Sequence, residues 1–141
     1  METPKVSIIM GIYNCGKTLK EAIDSILAQT YTNWELIMCD DCSSDDTYAV
    51  AEKYQKQHPD KIILIKNDAN RKLAFTLNHC LEYATGKYVA RMDGDDICDE
   101  TRFEKQVEFL DEHQEYGFVS TTMTRFDEQG VYQIPESKES Y

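Results

Sequence analysis

The amino-acid sequence predicts an α/β fold: a Rossmann-like, mostly parallel sheet with helices on both faces. Three observations predict it. Short β-branched runs at Val6–Met10, Trp34–Cys39, Ile62–Ile65 and Tyr88–Met92 are apolar nearly throughout rather than alternating, as strands buried on both faces are. The stretches between them carry apolar residues at helical spacing. Strict alternation of the two element types then calls for right-handed crossovers that return each strand parallel to its predecessor.

Taken in order, Val6-Ser7-Ile8-Ile9-Met10 is the first strand, stopped at Gly11, and Tyr13-Asn14-Cys15-Gly16 is a turn-rich loop. Thr18 and Glu21 have the spacing of a capping box, and Leu19, Ala22, Ile23, Ile26 and Leu27 share one face of a helix reaching about Gln29. Trp34–Cys39, the second strand, runs straight into Asp40 and Asp41. Ser43-Ser44-Asp45-Asp46 is a loop and cap, and the helix after it carries Val50, Ala51 and Tyr54 until Pro59 stops it. After the third strand, Ile62–Ile65, Asn67–Lys72 is a polar loop. Leu73, Leu77, Cys80, Leu81 and Ala84 then mark a helix for which Gly86 is expected at C′. The fourth strand, Tyr88–Met92, ends in acids. Asp99 is expected to cap a helix bearing Phe103, Val107, Phe109 and Leu110, with a fifth strand at Phe118–Thr122 that extends toward Arg125. The chain of 141 residues fits one domain, expected over 1–128, with 129–141 a loose polar tail.

Composition narrows the partners. With 26 acidic against 15 basic residues the net charge is -11, and the basic residues are dispersed, which argues against nucleic acid or an anionic membrane as the main partner. No apolar run approaches the roughly 20 residues that span a bilayer, and Met1–Lys5 does not begin a signal peptide, so a cytoplasmic location is expected. The five cysteines, at 15, 39, 42, 80 and 98, read as reduced thiols. Cys39 and Cys42 form a C-x-x-C, but the intervening Asp40 and Asp41 disfavour a thiolate, and no partner residues complete a zinc site.

Arg91-Met92-Asp93-Gly94-Asp95-Asp96 is the stretch that points to chemistry. In extended backbone Asp93 and Asp95 face the same way, and two adjacent carboxylates repel unless a cation lies between them. Oxygen-only ligation suits Mg²⁺ or Mn²⁺, which typically shares its shell with substrate phosphates, so a nucleoside diphosphate is implied. An isolated Asp-x-Asp in an acidic chain is more often a solvated turn. Here, however, Gly11–Asn14, Asp40–Asp41 and Asp93–Asp96 all fall at the carboxyl ends of predicted parallel strands, where such sheets bind ligands. The same stretch fails as an EF-hand, because Ile97 replaces a ligand and Cys98 the required glycine. Gly11–Gly16 fits neither a dinucleotide glycine motif nor a P-loop, which disfavours dehydrogenases, kinases and nucleotidyltransferases.

Lys5–Asn14, Ser25–Tyr31, Glu35–Ile37, Asp40–Thr47 and Ala90–Asp96 together resemble glycosyltransferase family 2, over about residues 4–128. The resemblance implies a GT-A fold and inverting transfer of a sugar from a nucleotide-sugar donor, a UDP-sugar in the first instance, to a saccharide or lipid-linked acceptor, as in polysaccharide biosynthesis. It implies that Tyr13 flanks the base, that Gly11 allows close approach, and that Asp41 accepts the uracil N3 hydrogen, which cytosine lacks. It further implies that Asp93 contacts the ribose and helps hold the metal, that Asp95 ligates Mn²⁺ or Mg²⁺, and that Arg71 lies near the phosphates, although Lys72 stands where the family usually has glycine. The family's general base lies well beyond the D-x-D motif, and no residue of this chain is assigned to it. The chain is therefore expected to be truncated on its C-terminal side, with the donor and metal site but not the base. The alternative is a noncatalytic nucleotide-binding or interaction module.

Overall fold

Alternate residues of a strand point to opposite faces, so a run such as Val6–Ile12 needs a cover on both sides. The computed structural model describes residues 3–117, 119, 124–127 and 130–133. In it β1 (Val6–Ile12), α1 (Leu19–Leu27), β2 (Trp34–Asp40), α2 (Thr47–Gln57), β3 (Ile62–Lys66), α3 (Lys72–Leu81), β4 (Tyr88–Arg91) and α4 (Arg102–Glu112) follow one another. Four parallel strands form one sheet in the order β3-β2-β1-β4. The predicted α/β fold is the one observed. Val6, Ile8, Met10 and Ile12 join Leu36, Met38 and Ile62 beneath α1, α2 and α4, which contribute Leu19, Ile23, Ile26, Ala51, Phe103 and Val107. Ile9, Ile37 and Cys39 face the other way and are covered by Leu77 and Cys80 of α3. Register is thereby fixed, since a one-residue slip of β1 would trade these two sets between the layers.

The chain steps outward from β1 to β2 to β3, then crosses back to β4 on the far side of β1. The switch point therefore lies between the carboxyl ends of β1 and β4.

Four expectations are corrected. The Thr18 side chain makes no capping bond; its hydroxyl donates instead to the carbonyls of Cys15, at 3.2 Å, and Gly94, at 3.0 Å, because the acidic turn packs against the start of α1. Asp99 does not cap α4, whose N-cap is Thr101; it folds the residues before it, accepting from the Thr101 N–H at 3.0 Å and hydroxyl at 2.7 Å. Gly86 is not a C′ residue, because α3 ends at Leu81 with Glu82 as its C-cap. It is placed by a close approach to β1: its N–H donates to Ser7 Oγ at 2.8 Å, and a Cβ there would lie 2.6 Å from the Lys5 carbonyl oxygen. The segment read as a loose tail contains β6 (Gly130–Gln133), which pairs antiparallel with β5 (Thr124–Asp127) across the expected boundary at 128. Val131 and Tyr132 have the strand preference that the polar flanks obscured. The fifth strand expected at Phe118–Thr122 lies, apart from Val119, outside the described residues. Among the described residues no helix is long and apolar enough to cross a membrane.

At the amino ends of the strands, Ser7 and Glu35 are register partners and both buried. Glu35 Oε2 accepts from Ser7 Oγ at 2.6 Å, the Thr85 N–H at 2.8 Å and the Thr85 hydroxyl at 2.9 Å, while Lys5 Nζ lies 3.2 Å from Oε1. Burial alone would raise the Glu35 carboxyl, but these bonds outweigh it and hold it below the ordinary value. The network ties the turn after α3 to the sheet and so sets where β4 begins.

Candidate functional site

The loop after β1 is strapped to the loop after β2. The Asn14 N–H donates to Ser43 Oγ at 3.0 Å, the Cys15 N–H to Thr47 Oγ1 at 2.9 Å and the Gly16 N–H to Asp45 Oδ2 at 3.1 Å, while Asn14 Oδ1 accepts from the Ser44 N–H at 2.8 Å. Asn14 adopts a left-handed φ of 47°, which asparagine tolerates better than most residues. Tyr13 is left 51% exposed beside this loop. Gly11 lies under α3, where a Cβ would sit 3.1 Å from Leu73 Cδ1 and 3.2 Å from Thr76 Cγ2.

Opposite stands the acidic turn. β4 ends at Arg91, so Asp93 and Asp95 converge through a turn, closed by the Asp96 N–H on the Asp93 carbonyl at 3.1 Å, and not through an extended pleat. Asp93 and Asp95 are brought together as expected, and Asp96, left out of the predicted ligand set, joins them. One oxygen from each of the three carboxylates lies within 4.8 Å of the others. Burial, then the charges of Asp93 and Asp95, push the Asp96 carboxyl up. Arg91 Nη2, at 3.6 Å from Asp93 Oδ1, offsets part of this repulsion. Three mutually repelling oxygen donors with little internal compensation fit a hard divalent cation.

Between loop and turn runs a cleft of roughly 610 Å³. It is lined by Gly11, Tyr13, Asn14, Cys15, Lys17 and Thr18, by Asp45 and Leu73, and by Asp93, Gly94 and Asp95. Sequence reasoning supplied Gly11, Tyr13, Asp93 and Asp95. It placed Asn14 in the Gly11–Asn14 cluster without giving it a role of its own, and it missed Cys15, Lys17, Thr18, Asp45 and Leu73 as lining residues.

Asp41 and Arg71 are not among the lining residues. The Asp41 carboxylate is buried and accepts from the Arg71 N–H at 2.7 Å, Asn67 Nδ2 at 2.9 Å and the Lys72 N–H at 3.0 Å. Burial would raise this carboxyl, but the Arg71 N–H, the Asn67 amide and the Lys72 N–H together hold it below the ordinary value. Asp41 thus fixes the entry to α3, where Lys72 takes a left-handed φ of 72°. Asn67, also missed, orients Asp41: its Oδ1 lies 2.8 Å from His79 Nδ1, and its amide also donates to Thr76 Oγ1 at 2.9 Å. The Arg71 guanidinium grips Asp68 through two bonds of 3.1 and 3.0 Å and lies over Phe75. All five cysteines are free thiols; Cys39 is buried and Cys42 exposed.

A parallel sheet with an acidic cleft at its switch point is the arrangement in which open α/β proteins bind their ligands. The family is more specific: the chain belongs to glycosyl transferase family 2, whose model matches residues 7–140. Over 128 residues it is 57% identical to a Bacillus subtilis (strain 168) protein named "Putative glycosyltransferase EpsE", covering 91% of this chain and 46% of that protein. Over 106 residues it is 40% identical to the Escherichia coli UDP-Glc:alpha-D-GlcNAc-diphosphoundecaprenol beta-1,3-glucosyltransferase WfaP, covering 75% of this chain and 41% of WfaP. The chain thus spans less than half the length of these relatives. Among solved structures, S. aureus TarS 1-349 in complex with UDP superposes with a TM-score of 0.72 at 28% identity, over 78% of this chain and 33% of that one. The mannosyltransferase PcManGT from Pyrobaculum calidifontis, in complex with GDP-Man and Mn²⁺, gives 0.72 at 28%, over 77% of this chain and 33% of that one. The fold is the GT-A fold of these neighbours.

Proposed function

We propose that this chain is the donor-binding part of an inverting glycosyltransferase that takes a UDP-sugar and passes the sugar to a saccharide or lipid-linked acceptor, as in polysaccharide biosynthesis. The observation that carries the reading is the meeting of the Tyr13–Thr18 loop and the Asp93–Asp96 turn across one cleft at the switch point. The UDP complex of TarS and the UDP-Glc named for WfaP support uridine as the base.

Tyr13 offers an exposed ring against which a base stacks, and Gly11 keeps the floor of the cleft low. Asp93 serves the ribose. Asp95, with Asp93 and Asp96, would hold Mn²⁺ or Mg²⁺, an ion that supplies Lewis-acid neutralisation of charge on a diphosphate. A carboxylate has about four acceptor positions, of which Asp41 uses three internally, so its proposed reading of the uracil N3 hydrogen falls to the fourth. Arg71, the residue proposed for the phosphates by resemblance, has its Nε and Nη2 bonded to Asp68. The general base is assigned outside these residues, in keeping with the length of the relatives, and the soluble donor implies work on the cytoplasmic side.

Calorimetric titration of UDP with Mn²⁺, repeated with EDTA and with Asp95→Ala, tests the reading. Binding that requires both the metal and Asp95 is expected. Binding that persists unchanged in EDTA would sink the metal-dependent donor site, and tighter binding of GDP would replace the base assignment.

A further inference from the structure

We propose that Lys17 is the positive group that positions the donor's diphosphate, an inference that rests on the donor-site reading above. The family resemblance pointed instead to Arg71. The structure removes Arg71 from the cleft lining and commits its guanidinium to Asp68 and Phe75. Lys17 is the one lysine or arginine among the described residues lining the cleft. It stands in the turn between β1 and α1, and its ammonium makes no hydrogen bond or ion pair among the described residues. Lys20, Lys56, Lys87 and Arg91, by contrast, are each paired with a carboxylate.

An unpaired cation in a cleft that also holds Asp45, Asp93 and Asp95 is an electrostatic arrangement with a ligand-shaped gap. Asp45 is already engaged by Thr47 and Gly16, and Asp93 and Asp95 face the third acid of their own turn. A nucleoside diphosphate brings negative charge into a chain of net charge -11, so every positive group at the phosphates counts. The ammonium is a compact point charge on a flexible four-carbon stem, suited to following phosphate oxygens without the fixed fork of an arginine. Because Lys17 has no internal partner to give up, its contact with the diphosphate carries no cost of breaking one.

The test compares UDP with uridine, both titrated in the presence of Mn²⁺ into the unaltered chain, Lys17→Ala and Lys17→Arg. Lys17→Ala is expected to weaken UDP about tenfold, the size of one charge-assisted hydrogen bond, while leaving uridine unchanged. Lys17→Arg is expected to restore most of the loss, and UDP affinity in Lys17→Ala is expected to fall less steeply with added salt. Equal loss for UDP and uridine would overturn the proposal, as would UDP binding that is metal-dependent yet indifferent to Lys17. Failure of the unaltered chain to bind UDP would overturn the donor-site reading, and the role of Lys17 with it. Circular dichroism melting of the variants checks that this exposed substitution leaves the fold in place.

Discussion

Asp41 is a buried carboxylate with a structural duty of its own. Its carboxylate holds the turn that launches α3 through the Arg71 and Lys72 N–H groups, and Asn67 holds the carboxylate. These bonds are made to a buried, charged acceptor, so removing the charge is expensive: Asp41→Asn is expected to lower stability by about 1–3 kcal/mol at pH 7. The pH dependence follows from the direction of the shift. The carboxyl is held below its ordinary value of 3.8, so its contribution is complete above that value and is lost as pH falls through the lower folded value. The gap between the unaltered chain and Asp41→Asn, read from urea midpoints, is therefore expected to close as pH drops from about 5 toward 2. A gap that stays constant over that range would show that the charge is not what Asp41 contributes.

Among the elements, the turn between α3 and β4 is held close against backbone. Glu35 and Ser7, buried at the amino ends of β2 and β1, hold Thr85 and Gly86 against the sheet. A methyl group at Gly86 meets the Lys5 carbonyl oxygen at 2.6 Å and the Ser7 nitrogen at 2.8 Å, and backbone cannot rotate away as a flexible side chain can. Gly86→Ala is expected to cost about 1–3 kcal/mol, the range for overpacking. Gly117→Ala is the control, with nothing within 4 Å of the added carbon. Equal urea midpoints for the two variants would show that β4 is not held by this contact. The consequence reaches the site, because β4 delivers Asp93 and Asp95 to the cleft and α1 receives them through the bond from Thr18 to Gly94.

At the scale of the molecule, a four-stranded parallel sheet builds the cleft proposed for the donor on one edge, and the chain spans 46% of EpsE and 41% of WfaP. An inverting transfer needs a base on the acceptor side, opposite the leaving group. A chain extended to the length of the relatives is expected to transfer sugar from a UDP-sugar with inversion, and the 141-residue chain to bind the donor without efficient transfer. Nuclear magnetic resonance of the anomeric product checks both statements. Retention of configuration, or robust transfer by the short chain, would reverse them.

The sequence by itself determined the layers. The uninterrupted apolar runs of β1 and β2 are buried in a sheet covered on both faces, whereas β4, read the same way, is an edge strand with Val89 51% exposed, because edge position is set by topology and not by the run itself. The acids at the strand ends were legible because charge leaving a strand must be solvated or ligated. Local patterns were legible only as far as no distant partner intervened. Thr18 had a capping spacing yet bonds to Gly94, and Gly86 had a helix-end spacing yet is set by β1. The tertiary structure alone decided that Asp96 joins Asp93 and Asp95, and that Lys17 reaches the cleft unpaired. Which groups meet depends on turn geometry and on partners up to 80 positions away in the chain, as with Lys5 and Thr85. Periodicity reports which face a residue occupies and carries no information about those partners.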